Sequence, residues 1–203
     1  MRFIAVNDGV DSIRATDVDS LDTSFRALLY DLYSRDLSRK VRSALRLRAQ
    51  RGDCLSTYAP YGYTKDPNKK NHLVIDPPAA EIVRRVFRMA SDGQSTVQIA
   101  QVLNREYVPT PMQVKRAAGY PHMGWNCVGA ENFWTATEIA RILRDEQYLG
   151  KVVYGKRFYD IIGNSHSVKV SRKDWIVTPG AHEPIVSQDE YDRAQASRSN
   201  PSG

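Results

Sequence analysis

The sequence predicts a mainly α-helical protein with small β elements, in which a long helix is followed by a winged-helix or helix-turn-helix-like domain with a β-hairpin. Three observations predict this class. A helical pattern runs without Pro or Gly from Asp22 up to Gly52. Three later helical patterns each begin with Ser or Thr followed three residues on by Glu or Gln, a capping box in which the two residues satisfy each other's backbone amides. Two strand-like segments joined by a polar loop precede the last of these helices.

The composition limits the class of protein. The chain has 203 residues, of which 41% are hydrophobic and 26% charged, which is typical of a globular protein rather than a disordered chain. No segment approaches the roughly 18 apolar residues of a membrane span, and the first residues are too polar and acidic for a signal peptide. Cys54 and Cys127 lie far apart with no partner motif, which fits a reducing compartment and excludes a Cys-rich zinc site within the chain. We therefore expect a cytoplasmic protein with no membrane contact.

The first residues predict a short strand. An apolar run from Arg2 to Val6 ends at Asn7-Asp8-Gly9, which indicates a buried strand followed by a turn. Residues 11–20 are polar and rich in turn formers, so we expect a loop there. Because so short a strand is not stable alone, we expect the chain to begin inside a larger domain.

The long helix is predicted to begin at Asp22 as its N-cap. At 1.5 Å per residue, a helix of about thirty residues spans about 45 Å, more than one small core can cover. We therefore expect its first half to pack on a partner and its second half to face something else. Its apolar stripe is formed by Phe25, Leu28, Leu29 and Leu32 and is expected to be continued by Leu37, Val41, Ala44 and Leu45 at steps of three and four residues.

The charge distribution indicates a polyanionic partner. The net charge is +6, yet residues 1–34 contain three Arg against six Asp. Between residue 35 and residue 51 there are seven basic residues and one acidic residue, Asp36. Since acidic residues at i±4 are nearly absent, these charges repel one another unless an external polyanion neutralises them, and we predict nucleic-acid contact. The alternative is the solvated face of a long helix. The basic residues are Arg35, Arg39, Lys40, Arg42, Arg46, Arg48 and Arg51.

The rest of the chain predicts a compact helical domain with one β-hairpin. Residues 53–72 carry turn signals, and a strand is expected over 72–75. Asp76-Pro77-Pro78 is a typical helix start; this helix should run to about Ser91 and bury Ile82, Val83, Val86 and Phe87. The capping boxes at Ser95–Gln98, Thr135–Glu138 and Ser187–Glu190 predict three more helices, and strands are expected over 151–158 and 172–177.

The helices over 95–105 and 135–144 resemble the crossing pair of a helix-turn-helix, and the alternative is an ordinary helical core. If the second helix enters a major groove, its early exposed residues Thr135, Thr137, Glu138 and Arg141 should reach base edges. The insert between the helices, with Lys115 and Arg116, is expected to add contacts. The hairpin, with Lys156 and Arg157, is expected to act as a wing on phosphate; a solvated hairpin edge is the alternative.

No pattern of an active site, cofactor site or metal site is found in the sequence. The histidines His72, His122, His166 and His182 are scattered, with no i,i+4 pair and no neighbouring Cys pair. No Gly-rich phosphate loop and no GxSxG motif is present. We therefore predict no catalytic residue, no cofactor and no metal.

Several segments, in this order, resemble the large serine site-specific recombinases of the resolvase/invertase superfamily. RFIAVNDGVDS and the helix ending in SRDLSRKVRSALRLRAQRG are similar to the last part of the catalytic domain. LSTYAPYGYTKDP and LVIDPPAAEIVRRVFRMASDGQSTVQIAQVLNREYVPTP resemble the linker and the start of the family's "recombinase" domain, and FWTATEIARILRDEQYLGKVVYGKR and HEPIVSQDEYDRAQA resemble the rest of it. The resemblance implies a catalytic-domain remnant over 1–52, a linker over 53–75 and a recombinase DNA-binding domain over 76–198.

The resemblance also implies a partner and a mechanism. A serine of the parent protein attacks double-stranded DNA at an attachment or transposon-end site and forms a 5′-phosphoserine linkage. By this resemblance we expect the parent to be a dimer on DNA and a tetramer in synapsis, and to act in the bacterial cytoplasm at the nucleoid. The nucleophile is expected upstream of Met1, because none of Ser12, Ser20 and Ser24 occupies the matching position, so the chain alone is predicted to be inactive. The start of the long helix would contribute to dimer contacts and its end would lie along the minor groove, which the linker with Lys65, Lys69 and Lys70 would follow.

Two other classes of protein remain as alternatives. A winged-helix transcription regulator would bind DNA but would not explain the strand and acidic half-helix of residues 1–34. A protein-interaction adaptor would use its basic helix on an acidic partner. A steep salt dependence of binding to duplex DNA would separate DNA binding from the adaptor function.

Overall fold

The structure is a computed structural model that describes residues 4–5, 10–11, 21–119, 133–159 and 167–199. Helices predominate in these residues, and all strands are short and antiparallel, which confirms the predicted fold class. None of the helices in the described ranges is both long and apolar enough to cross a membrane. The helices are α1 (Leu21–Gln50), α2 (Pro77–Ser91), α3 (Thr96–Arg105), α4 (Pro111–Ala117), α5 (Ala136–Arg144) and α6 (Gln188–Ser199), with 3₁₀ turns at Glu146–Leu149 and Arg172–Asp174.

The strands form four two-stranded ladders. Strand β1 (Ile4–Ala5) pairs with β2 (Val10–Asp11), and β3 (Tyr63–Lys65) pairs with β4 (Leu73–Ile75). Strand β5 (Val152–Tyr154) pairs with β8 (Ile176–Thr178), and β6 (Arg157–Tyr159) pairs with β7 (Ser167–Lys169). The last two ladders belong to one long hairpin. Between them the hairpin bends at an elbow, which comprises residues 155–156 and 170–175.

The core surrounds α2. This helix buries Val83, Val86 and Phe87, whereas Ile82, which was expected to be buried with them, is partly exposed. Helix α2 packs on α6, and α3 packs on α5. Leu73 and Tyr63 of the β3–β4 hairpin are also buried in this core, so the segment expected to be a linker contributes to the compact body.

Reciprocal capping bonds fix where the helices begin. The boxes predicted at Ser95–Gln98, Thr135–Glu138 and Ser187–Glu190 all form. A fourth box, Thr110–Gln113, was missed, and it opens α4 inside the segment that was expected to be irregular. The signal was present in the sequence, because Thr110 is followed by Pro111 at the first helical position and, three residues after Thr110, by Gln113.

Three other local predictions were wrong. Helix α1 begins at Leu21, so Asp22 lies inside the helix rather than at its N-cap. Val10–Asp11 forms a strand where a loop was expected to begin, because it pairs with Ile4–Ala5. The strand predicted from Arg172 begins only at Ile176, because residues 172–174 turn as a 3₁₀ helix at the elbow.

Helix α1 contacts the compact body through its last turn. Ala49 is fully buried there, and the Thr178 hydroxyl of β8 donates a hydrogen bond of 2.9 Å to the Ala49 carbonyl oxygen. Gly52 ends the helix with a φ of 86°, and a Cβ at this position would lie 3.0 Å from the Ala181 Cβ. The helix is thus attached to the root of the long hairpin.

Candidate nucleic-acid interface

Four of the predicted arginines form a single stripe on α1, the arginine stripe, which comprises Arg35, Arg39, Arg42 and Arg46. Their spacing of four, three and four residues places them on one face of the helix, and all four are exposed. Arg48 differs from them, because it is partly buried and its Nε lies 3.2 Å from a carboxylate oxygen of Asp53. A one-sided row of exposed guanidinium groups can donate charge-assisted hydrogen bonds to the phosphates of a nucleic-acid backbone.

The expectation that these cations lack acidic neighbours was partly wrong. Arg35 pairs with Asp31 at 2.9 Å and Lys40 pairs with Asp36 at 2.7 Å, both at i,i+4. The hydrogen bond and the charge of Asp36 raise the pKa of Lys40. Arg39, Arg46 and Arg51, in contrast, make no ion pair with the residues that the structure describes. The charges of the second half of α1 are therefore only partly neutralised.

The apolar stripe of the first half of α1 is exposed. The exposed fractions of Phe25, Leu28 and Leu32 are 58%, 55% and 54%. The spacing of three and four residues continues without a break from these residues into the arginine stripe. One face of α1 is therefore apolar in its first half and basic in its second, and the expected packing of the first half on a partner stays a prediction.

One asparagine links the end of α3 to the residue before the N-cap of α5. The Asn104 side chain accepts a hydrogen bond of 2.7 Å from the Trp134 backbone N–H and donates one of 2.9 Å to the Trp134 carbonyl oxygen. The buried indole of Trp134 donates to the Val108 carbonyl oxygen and packs edge-on against Tyr61. These contacts fix where α5 begins relative to α3.

The predicted base-reading residues of α5 divide into two groups. Thr135 and Glu138 bond to each other within the capping box, so their polar atoms are already engaged. Thr137 and Arg141 are exposed on the face opposite the buried Ile139. Arg144 is exposed one turn further on the same face and was missed by the sequence prediction, although its spacing of three from Arg141 could have indicated it.

The remaining predicted contact residues lie on three different elements. The Lys65 ammonium of β3 donates a hydrogen bond of 2.6 Å to the Ser56 carbonyl oxygen. On α4, Arg116 is exposed and the Lys115 ammonium lies 5.2 Å from the centroid of the Tyr58 ring. Lys156 is exposed at the elbow of the long hairpin, and Arg157 is exposed at the start of β6.

The basic residues on the outer face of α2 are neutralised by acidic neighbours. Arg85 forms a two-pronged ion pair with Glu106, which raises the pKa of Arg85 and lowers that of Glu106. Arg88 pairs with Glu81. This face therefore offers little net charge to a polyanion, unlike the second half of α1.

Comparison with known proteins gives the family. The sequence model of the Recombinase family matches residues 77–201, which is more than half of the chain. The chain therefore belongs to the Recombinase family, and the match begins at the first residue of α2. This confirms the family resemblance of the sequence.

The chain is distantly similar to the following proteins. The chain is 25% identical over 163 residues to "Uncharacterized protein y4bA/y4pH" of Sinorhizobium fredii; the match covers 79% of this chain and 22% of that protein's length. A solved structure described as "Sequence Requirements of the Listeria innocua prophage attP site" is 20% identical, with a TM-score of 0.49, over 79% of this chain and 51% of the other. A second, "Crystal Structure of a LSR-DNA Complex", is 18% identical, with a TM-score of 0.49, over 79% of this chain and 38% of the other.

Proposed function

We propose that this chain binds duplex DNA as part of a serine site-specific recombinase. The observation that carries the proposal is the arginine stripe of α1, one-sided and only partly neutralised, attached to a domain of the Recombinase family. In such an arrangement a row of guanidinium groups contacts phosphates and supplies most of the affinity. The family domain then supplies the contacts to base edges.

The proposal assigns different roles to different elements. The arginine stripe follows the phosphates beside the minor groove, while Lys115, Arg116 and the hairpin contact phosphates further along the duplex. Helix α5 lies in the major groove, where Thr137 and Arg141 reach base edges and Arg141 suits a guanine. In this proposal residues 1–52 belong to a catalytic domain, 53–75 connect it, and 76–198 form the DNA-reading domain.

At the level of the parent protein, the proposal is strand exchange in the bacterial cytoplasm. The parent binds an attachment or transposon-end site as a dimer and forms a tetramer in synapsis. A serine nucleophile of that protein, not a residue of this chain, forms the phosphoserine linkage. The exposed apolar stripe of α1 supports a protein contact at the start of this helix.

Fluorescence anisotropy tests DNA binding directly. The chain is first used to select duplexes that it binds from a randomised library. Its affinity for a selected duplex and for a scrambled version of that duplex is then measured across a salt series. If about six phosphates are neutralised, log K should fall with log salt at a slope near −5. Arg141→Ala should weaken binding to the selected duplex by about tenfold and leave the scrambled duplex unaffected.

Arg88→Gln is the matched control, because it removes one exposed positive charge from the neutralised face of α2. It should leave both affinities unchanged. Weak binding that is the same for both duplexes and insensitive to salt would contradict the proposal, and the adaptor function would then be favoured.

A further inference from the structure

The elbow of the long hairpin is organised around Trp175. The indole N–H donates a hydrogen bond of 3.0 Å to the Val170 carbonyl oxygen, within residues 170–175 of the elbow. The Lys156 ammonium lies 5.5 Å and the Arg172 guanidinium 5.6 Å from the centroid of the same ring. Both distances are within the range over which an aromatic ring attracts a cation, and Trp is the best aromatic partner.

The two cations over the ring are in different situations. The Arg172 guanidinium also lies 2.8 Å from a carboxylate oxygen of Glu146, whose side chain is largely buried, so its charge is matched within the fold. Lys156 has no acidic partner among the residues that the structure describes. Its backbone is fixed as well, because its carbonyl oxygen accepts a hydrogen bond of 3.1 Å from the Val170 N–H. Arg172 therefore anchors the ring, and Lys156 is held on it with an unmatched charge.

We infer that Trp175 is a positioning residue that holds the Lys156 ammonium ready for a phosphate of the DNA backbone. A free lysine side chain must lose rotamer entropy to be fixed in one place. The ring restricts Lys156 before any ligand arrives, so less of this loss falls on binding. The inference rests on the proposed DNA binding, and it assigns one phosphate contact to the elbow.

A double-mutant cycle tests the coupling between the two residues. The affinity of the full chain for a labelled mixed-sequence duplex is measured in a salt series. Four proteins are compared: the wild type, Lys156→Gln, Trp175→Leu and the double variant. Lys156→Gln should weaken binding about three- to fivefold and make the salt slope less negative by about 0.9, the loss of one phosphate contact. Trp175→Leu should weaken binding by a similar factor, and the double variant should be no weaker than the weaker single variant.

Lys173→Gln provides the matched control, since Lys173 is exposed in the 3₁₀ turn at the elbow and makes no ring contact within the described part of the chain. The effects of Lys173→Gln and Trp175→Leu on the free energy of DNA binding should be additive. If the effects of Lys156→Gln and Trp175→Leu also add, or if neither variant changes the affinity, Trp175 has only a structural role and the inference is wrong. If the wild type itself binds DNA without salt dependence, the proposed function fails instead.

Trp175→Phe extends the test to a variant that preserves the ring. A phenyl ring attracts a cation less strongly than indole does, so this variant should lose part of the affinity. Lys156→Gln should then cost less in the Trp175→Phe background than in the wild type. An equal cost in both backgrounds would overturn the inference even if Trp175→Leu does not fold.

Discussion

At the scale of single residues, buried polar side chains hold the segments before and after α5. The Tyr63 hydroxyl donates to the Glu183 carbonyl oxygen at 2.9 Å, and the Tyr148 hydroxyl donates to the Tyr61 carbonyl oxygen at 3.0 Å. His182 is buried edge-on against Tyr63. Its Nε2 lies 2.8 Å from the Gln147 carbonyl oxygen, and because a carbonyl only accepts, Nε2 must carry the proton. Through Tyr61 and Tyr63, these contacts connect the start of the β3–β4 hairpin to the segment that follows α5.

His182 should make the stability of the fold depend on pH. Burial lowers its pKa below the ordinary value of 6.5, and the Gln147 carbonyl offsets this only in part. The unfolded chain therefore binds a proton at His182 more readily than the folded chain does. The stability is fully present above about pH 6.5 and is lost as the pH falls through the lowered pKa of the folded state.

The measurement is the Tm between pH 7.5 and 5. His182→Gln keeps a donor for the Gln147 carbonyl but does not titrate, so its Tm should fall less steeply with decreasing pH than that of the wild type. Parallel Tm curves for the two proteins would show that other groups cause the acid sensitivity.

At the scale of secondary-structure elements, the sequence predicts local features better than contacts between distant segments. The capping boxes of α3, α5 and α6 were predicted because each is complete within four residues. The bond between Asn104 and Trp134 joins residues 30 apart, and the one between Ala49 and Thr178 joins residues 129 apart. No local pattern indicates either bond. The candidate interface follows the same rule, since the basic residues of α1 could be found from their density in the sequence but the position of the indole close to Lys156 and Arg172 could not.

The attachment of α1 to the long hairpin can be tested with two alanines of the same helix. Ala49 is fully buried against the hairpin, whereas Ala44 is exposed. Ala49→Glu would bury an unpaired charge, so the helix should separate from β5 and β8 rather than accept it. The core around α2 should then melt at nearly the same temperature as in the wild type, because α1 contributes little to this core.

Hydrogen exchange measured by mass spectrometry should show the separation locally. The amides of β5 and β8 should exchange at least tenfold faster in Ala49→Glu, while those of α2 keep their protection. Ala44→Glu introduces the same charge into the same helix, and it should change neither the exchange of β5 and β8 nor that of α2. Unaltered exchange in β5 and β8 of Ala49→Glu would show that the hairpin is stable without α1.

At the scale of the whole molecule, one face of α1 combines two kinds of contact. The positions alternate by three and four residues throughout, which is the spacing of a coiled-coil seam. Apolar side chains occupy the first half of this seam and arginines the second. If two copies of the chain meet along the apolar half, their arginines come close together after Leu32 and repel one another. The two helices should therefore diverge after Leu32 unless a polyanion lies between them. The seam consists of Phe25, Leu28, Leu32, Arg35, Arg39, Arg42 and Arg46.

This geometry predicts that self-association and DNA binding support each other. Duplex DNA neutralises the arginines that oppose pairing, so it should raise the dimer fraction, and by thermodynamic linkage the dimer should bind DNA more tightly than the monomer does. Analytical ultracentrifugation with and without a mixed-sequence duplex measures the first effect. Leu28→Ser with Leu32→Ser should leave the chain monomeric in both conditions and weaken DNA binding at low protein concentration. Val41→Ser is the control, because Val41 is 50% exposed on α1 but lies off the seam, although it was expected to continue the apolar stripe. A dimer fraction that is insensitive to the leucine substitutions would place the contact elsewhere on the chain.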